Sequence, residues 1–196
     1  MLRIILVRHG ETESNQAGVY CGWHNSQLTE KGLRQAYTVS EKLKQEKIDH
    51  IISSDLDRTL KTAEIINDYH HVQITVEKNF REMHFGLWEG LNYKEISQNY
   101  KMALKDWEKD WIDFKVPEGE SLRQMYERVT KGVDKIIEMH KEGNFLVVSH
   151  SGCIRAMVAY LIGRGIEDYW KYKIDNCGIT TIEILDGFFI LTGMNQ

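Results

Sequence analysis

The 196-residue chain has one proline, Pro117, and three cysteines (Cys21, Cys153 and Cys177), none of them in a CxxC pair. An odd set without that spacing supports neither a disulfide framework nor a zinc knuckle, so a reduced, cytoplasmic setting is the expectation. No run approaches the ~20 apolar residues of a membrane span. The apolar stretch at the N-terminus, broken at Arg8, is too short for a signal peptide. Positive charge is not in excess either. A formal net charge of -4 argues against a nucleic-acid partner, which calls for a basic patch. It does not exclude an anionic substrate, because local arginines set the field inside a pocket. No repeat, low-complexity tract or linker divides the chain, so residues 1–196 read as a single domain able to bury about 70% of its unfolded surface. A mean hydropathy of -0.44 fits a soluble globular protein.

What is present alternates strand and helix, the pattern of an α/β layer architecture. Ile4 to Val7 is a continuous apolar run, the mark of a strand buried on both faces in a parallel sheet. Thr29 reads as the N-cap of a helix with Leu33, Ala36, Val39 or Ser40, and Leu43 inward. His50 to Ser54 reads as a second strand. Asp55 or Asp57 is expected to cap the next helix, whose core side is Leu60, Ala63, Ile65 and Ile66. Val72 to Val76 is a third strand candidate. Residues 83–120 are the least regular and read as a helical lid or specificity segment. Ser121 to Gln124 has capping-box form and launches a helix bearing Met125, Val129, Val133, Ile136 and Ile137, with Gly143 as its expected stop. Phe145 to Val148 is another buried strand, followed by a helix with Ile154, Met157, Val158 and Leu161. Asp186-Gly187 joins two last strands as a hairpin. The expected fold is a three-layer α/β/α sandwich around a mostly parallel sheet.

Three strands end in the same way: Arg8-His9-Gly10, Ser53-Ser54 leading to Arg58, and Ser149-His150-Ser151-Gly152. If they run parallel, right-handed crossovers bring their carboxyl ends to one rim, where ligands of open α/β sheets bind. Two arginines, two imidazoles and the positive ends of the following helices then face one cavity. Each arginine can clamp phosphate oxygens bidentately. A histidine beside them can carry a covalent group or a proton. A metal site is the competing reading, with His9, Glu82, His84 and His150 as ligands. No HxH, HxxxH or HExxH spacing supports it, and Arg8 beside His9 repels a cation. A non-catalytic phospholigand-binding module is the other alternative.

The ordered set of segments resembles the histidine phosphatase superfamily, in its phosphoglycerate-mutase-like branch. It comprises Leu6-Val7-Arg8-His9-Gly10-Glu11-Thr12, Asn15, Tyr20-Cys21-Gly22-Trp23, Leu28-Thr29-Glu30-Lys31-Gly32, Ser53 to Thr59, Arg81 to Gly90, Pro117 to Ser121, and Val148 to Gly152. The match runs along nearly the whole chain. The resemblance implies a phosphohistidine on His9. It implies a phosphate pocket of Arg8, Arg58 and His150, with Asn15 donating a further hydrogen bond and Cys21, Gly22 and Ser151 beside the ligand. Glu82 is implied as the acid that protonates the leaving oxygen and then as the base for water. Those roles require a neutral His9 and a Glu82 protonated near neutral pH, while His150 can stay cationic beside the phosphate, so the two histidine environments should diverge. No metal or cofactor is implied. The partner is a small phosphomonoester, and a homodimer is left open.

Phe85 to Leu91 is written in the manner of the phosphatases, and the chain is shorter than typical mutases. Asp110-Trp111 through Pro117 to Ser121, together with Tyr20 to Trp23, is most similar to α-ribazole phosphatases of cobalamin nucleotide-loop assembly. A flat aromatic substrate suits stacking on Trp23, Trp88, Trp107 or Trp111. Broad-specificity phosphatase and phosphoglycerate mutase remain the alternatives within the family. Cys21 stands where relatives more often carry glutamine or serine, which puts its ligand contact in question.

Overall fold

The computed structural model describes residues 1–196. In chain order its elements are β1 (Leu2–Arg8), α1 (Glu13–Ala17), α2 (Glu30–Leu43), β2 (His50–Ser53), α3 (Asp57–Asn67) and β3 (Ile74–Val76). Then come α4 (Tyr93–Asn99), α5 (Lys101–Lys109), α6 (Leu122–Met139), β4 (Gly143–Ser149), α7 (Ser151–Leu161), β5 (Ile179–Leu185) and β6 (Phe188–Gly193). Short 3-10 helices lie at Lys78–Phe80, Gly86–Trp88 and Ile166–Lys171.

The six strands form one sheet in the order β3-β2-β4-β1-β5-β6. Strands β3, β2, β4 and β1 are mutually parallel, and β5 runs antiparallel to β1 and β6. The register pairs Arg8 with Ser149 and Ser53 with Val148. The ends of the three motif-bearing strands therefore lie side by side on one rim, as their sequence grammar requires.

The layers follow from the two-residue period of a strand. Along β1, Leu2, Ile4 and Leu6 join a core with Met125, Val129, Val133 and Ile136 of α6 and Ile154, Met157 and Val158 of α7. The alternate residues Ile5 and Val7 join a second core with Ala36, Val39 and Leu43 of α2 and Ala63, Ile65 and Ile66 of α3. Helices on both faces give the expected three-layer α/β/α arrangement, and β1 and β4 are apolar on both sides because both sides are covered.

Most element boundaries fall where local chemistry puts them. Thr29 caps α2 through the Gly32 N–H, and Ser121 and Gln124 complete a capping box on α6. The hairpin turn has positive φ at Asp186 (50°) and Gly187 (84°), the requirement of a type I′ turn. Two expectations are corrected. Neither Asp55 nor Asp57 caps α3. Leu56 occupies the N-cap without a side-chain bond, Asp57 is the first helical residue, and Asp55 instead pairs with Arg81. Gly143 does not end α6, which stops at Met139 with His140 as C-cap. Gly143 opens β4 at φ +114°, a backbone that favours glycine. Within residues 83–120 lie α4, α5 and the turn at Gly86–Trp88, with Asn92 and Glu95 capping α4 reciprocally.

Candidate active site

Where β1 ends, the His9 amide continues the parallel ladder by donating to the Ser149 carbonyl (3.0 Å). Where β4 ends, His150 takes the extended N-cap conformation of α7. The two imidazoles meet edge to face with centroids 5.3 Å apart. His9 Nδ1 lies 2.7 Å from the Gly10 carbonyl. A carbonyl only accepts, so Nδ1 carries the proton of the neutral ring and Nε2 keeps its lone pair. That is the tautomer a nitrogen nucleophile needs. His150 Nε2 lies 3.0 Å from the Ser54 hydroxyl at the end of β2, and its Nδ1 is buried without a partner.

The expected contrast between the two histidines is not present. Burial pushes the His9 pKa well below its ordinary value, and the cations Arg58 and Arg8 push in the same direction against the Gly10 carbonyl. Burial does the same to His150, reinforced by Arg58 and His9. Both imidazoles are therefore shifted in the same direction, toward the neutral form, by burial first and by the neighbouring cations second.

A stability consequence follows from the linkage between protonation and folding. Below about pH 6.5 the unfolded chain protonates these two histidines, while the folded chain excludes the protons. Stability is present above that pH and is lost as pH falls toward the depressed folded values, by up to about 3 kcal/mol per pH unit for the pair. Urea denaturation at pH 7.5 and 5.5 checks this. His9→Gln and His150→Gln should each lose less stability on acidification than wild type, and an unchanged pH dependence in both contradicts the burial argument.

Arg8 and Arg58 carry the fixed charge. Arg58 sits in the first turn of α3, 2% exposed, and donates to the carbonyls of Gly22 (2.6 Å) and His24 (2.9 Å). Arg8 donates to the Ile174 carbonyl (2.8 Å), and its Nε is buried without a partner. Burial lowers both pKa values from their ordinary range, yet a guanidinium stays charged. Two desolvated cations without a carboxylate partner form a strong anion site. Asn15 is held beside them. Its Oδ1 accepts from Thr12 N and from Asn176 Nδ2, which also donates to the His9 carbonyl.

Glu82 faces α7 from the opposite wall. Its carboxylate accepts from the amides of Met83 (2.9 Å) and Gly152 (3.0 Å), which tethers it to the first turn of α7, close to His150. Its own carbonyl accepts from Trp23 Nε1 and from Arg128 Nη2. Arg128 also donates to the Asn79 and Arg81 carbonyls and pairs with Glu120, so one guanidinium from α6 fixes the segment that carries Glu82. Gly152 is required by close approach. A Cβ there would lie 2.3 Å from Glu82 Oε1 and 2.7 Å from the Tyr169 hydroxyl. Gly152→Ala should displace Glu82 and lower kcat/KM by about 100-fold. Steady-state kinetics checks it, and a wild-type value contradicts the stated role of this contact.

The remaining predicted positions lie around this pocket. Gly22 contributes the carbonyl that holds Arg58. Ser151 is the first residue of α7. Cys21 is half-buried, with Sγ 3.4 Å from the His24 carbonyl. By contrast, burial pushes the thiols of Cys153 and Cys177 up to about 12. Trp23 covers Arg81 (4.6 Å) and His84 (4.6 Å) at the pocket mouth. Trp88 does not present a free face. It is 3% exposed and stacks on Phe114. Trp107 and Trp111 line an apolar cavity of about 80 Å³ together with Tyr20, Met83, Tyr169 and Trp170. Sequence reasoning missed Arg128, Tyr169, Trp170 and Asn176. Only Arg128 carried a signal, as a charge one helical turn beyond Gln124 on α6.

The sequence profile of the histidine phosphatase superfamily (branch 1) matches residues 4–196. An adenosylcobalamin/alpha-ribazole phosphatase of Salmonella typhimurium is 30% identical, over 100% of this chain and 96% of that protein. Phosphoserine phosphatase 1 of Hydrogenobacter thermophilus is also 30% identical, over 100% of this chain and 92% of that protein. The crystal structure of the alpha-ribazole phosphatase from Shigella flexneri superimposes with a TM-score of 0.95 at 29% identity, covering 100% and 96% of the two chains. With the profile matched along almost its whole length, the chain belongs to the histidine phosphatase superfamily, branch 1.

Proposed function

We propose that the protein hydrolyses phosphomonoesters through a phosphohistidine on His9, and that its substrate is α-ribazole 5′-phosphate. The observation that carries the mechanism is the Nδ1 contact of His9 with the Gly10 carbonyl, which leaves Nε2 unprotonated beside two arginines that backbone carbonyls hold. Arg8, Arg58, His150 and Asn15 hold the phosphoryl oxygens. The amide of Ser151, at the start of α7, adds the positive end of a helix to the same site.

In the first step the Nε2 lone pair forms a bond to phosphorus, the P–O ester bond breaks in line, and Glu82 gives its proton to the departing oxygen. In the second step water attacks the phosphohistidine and gives its proton to Glu82. The P–N bond breaks and inorganic phosphate leaves, which restores the Nε2 lone pair. Negative charge spread over the phosphoryl oxygens is stabilised by the guanidinium pair. When phosphate enters, its charge offsets the arginines and favours protonation of His150, the state that its role in the pocket requires.

Residues 83–120 bring Trp107 and Trp111 to a cavity that adjoins Met83, the neighbour of Glu82. On this reading the segment selects the leaving group, and aromatic side chains suit a benzimidazole riboside. The substrate choice rests on that composition and on the named activity of the Salmonella relative. The test is kcat/KM, in EDTA, on α-ribazole 5′-phosphate, 3-phosphoglycerate, phosphoserine and p-nitrophenyl phosphate. The expected result is turnover in EDTA with α-ribazole 5′-phosphate preferred by at least about tenfold, the scale of one well-used aromatic contact. Comparable values on all four reduce the assignment to a broad phosphatase, and loss of turnover in EDTA sinks the metal-independent mechanism.

A further inference from the structure

The loop between the last 3-10 helix and β5, residues 172–178, carries none of the motifs read from the sequence, yet it wraps the end of β1. Arg8 Nη1 donates to the Ile174 carbonyl (2.8 Å), and the Cys177 amide donates to the Arg8 carbonyl (3.1 Å). Between them the half-buried Asn176 uses its side-chain nitrogen twice. Its Nδ2 donates to the His9 carbonyl (3.1 Å) and to Asn15 Oδ1 (3.2 Å). Cys177 holds a left-handed backbone (φ +56°), which a β-carbon disfavours, so the loop keeps this shape against local strain. Asn195 brackets the loop from outside. Its Nδ2 donates to the Lys173 carbonyl (2.7 Å), and its Oδ1 accepts from the Asp175 amide (3.0 Å).

An asparagine amide carries donors on nitrogen and acceptors on oxygen, and its neighbours decide which way it turns. Here backbone groups anchor both ends of the chain of contacts. The His9 carbonyl only accepts, so Asn176 must turn its nitrogen that way. The Thr12 amide only donates, so Asn15 must turn its oxygen that way (3.2 Å). The bond from Asn176 then fills the second lone pair of Asn15 Oδ1. Asn15 Nδ2 donates to no group of the protein and stays open, with its N–H bonds left for a ligand. We propose that Asn176 is a positioning residue of the phosphate site, which turns Asn15 so that its NH2 group, and not its oxygen, meets the phosphoryl oxygens. An oxygen turned toward the anion would repel it, so the orientation decides the sign of the contact. That the anion is a phosphoryl group rests on the function proposed above, and Asn176 adds the part that aims Asn15 at it.

The test is a double-mutant cycle read by calorimetric titration with inorganic phosphate. Asn176→Ala should weaken phosphate binding by about five- to tenfold, the worth of about one hydrogen bond. Asn176→Leu, which keeps the bulk of the side chain, should do the same. In an Asn15→Ala background either change should cost less than about twofold more, because the group it acts through is gone. A merely structural role gives the same loss with and without Asn15. Heteronuclear NMR reads the orientation itself. The Asn15 side-chain NH2 signal, recognised by its absence in Asn15→Ala, should shift when phosphate saturates wild type and shift far less in Asn176→Ala. Should both Asn176 variants fail to fold, Asn195→Ala loosens the loop from outside the pocket and enters the same cycle. Unchanged phosphate affinity in the folded variants, or a loss that persists in full without Asn15, overturns the role. Wild type that binds no phosphate overturns the phosphate site and this role with it. Binding that follows the expected cycle without any turnover of esters leaves the role standing and refutes the hydrolase mechanism alone.

Discussion

His9→Ala is expected to lower turnover of every phosphomonoester by at least about 10⁴-fold, since removing a covalent nucleophile abolishes the path rather than weakening it. The loss should appear almost entirely in kcat. Arg8 and Arg58 are held by the carbonyls of Ile174, Gly22 and His24, and none of those contacts involves the His9 ring. Inorganic phosphate should therefore still bind the variant. A variant that binds phosphate and keeps even a hundredth of wild-type kcat contradicts a nucleophilic His9.

Glu82→Gln should have the second largest effect, and one that depends on the ester. An amide keeps the shape of the carboxylate, and its single oxygen can still accept one of the Gly152 and Met83 amides, which reach different oxygens of Glu82. It cannot transfer a proton. On alkyl phosphomonoesters, whose leaving oxygen must be protonated, kcat should fall by about 10³-fold. p-Nitrophenyl phosphate departs as a stabilised phenolate and needs less help, so its first step should be much less affected. Its second step also uses Glu82, as base for water, and should become limiting. A burst of nitrophenolate followed by slow turnover is the expected trace in stopped-flow absorbance. Equal loss on both kinds of ester, without a burst, contradicts a proton-transfer role for Glu82.

The fold was legible because the strands that carry it are apolar on both faces. Ile4 to Val7 and Phe145 to Val148 admit one location, the covered interior of a parallel sheet. Once those two were parallel neighbours, Arg8 and Ser149 had to end level, which put His9 and His150 within ring contact. The helix caps at Thr29 and Ser121 were readable because the backbone N–H donors their hydroxyls accept from lie three residues away in sequence. Asp55 misled for the opposite reason. Its acceptor role goes to Arg81, 26 residues distant, and no local pattern announces that pair. The same distance hid Arg128, whose carbonyl partners Asn79, Arg81 and Glu82 lie 46 to 49 residues away.

The charge states were the least legible part. A cationic His150 was expected because a phosphate needs positive charge around it. Burial and the neighbouring arginines lower the His150 pKa, and both depend on packing that residue spacing does not encode. The tautomer of His9 was equally hidden, since it is set by the carbonyl of the next residue and thus by a local backbone angle. In the functional account it is the detail that matters most.

The most direct test of the central claim is capture of the phosphoryl group on His9. Wild type, His9→Ala and Glu82→Gln are mixed with ³²P-labelled p-nitrophenyl phosphate in EDTA, quenched in alkali within milliseconds, and mapped by peptide. Label that is stable to base and labile to acid, lying on the peptide that contains His9, is predicted for wild type. It should approach one per chain in Glu82→Gln and be absent from His9→Ala. Phosphate release without label in the first two proteins, or label that persists after His9 is removed, contradicts the mechanism.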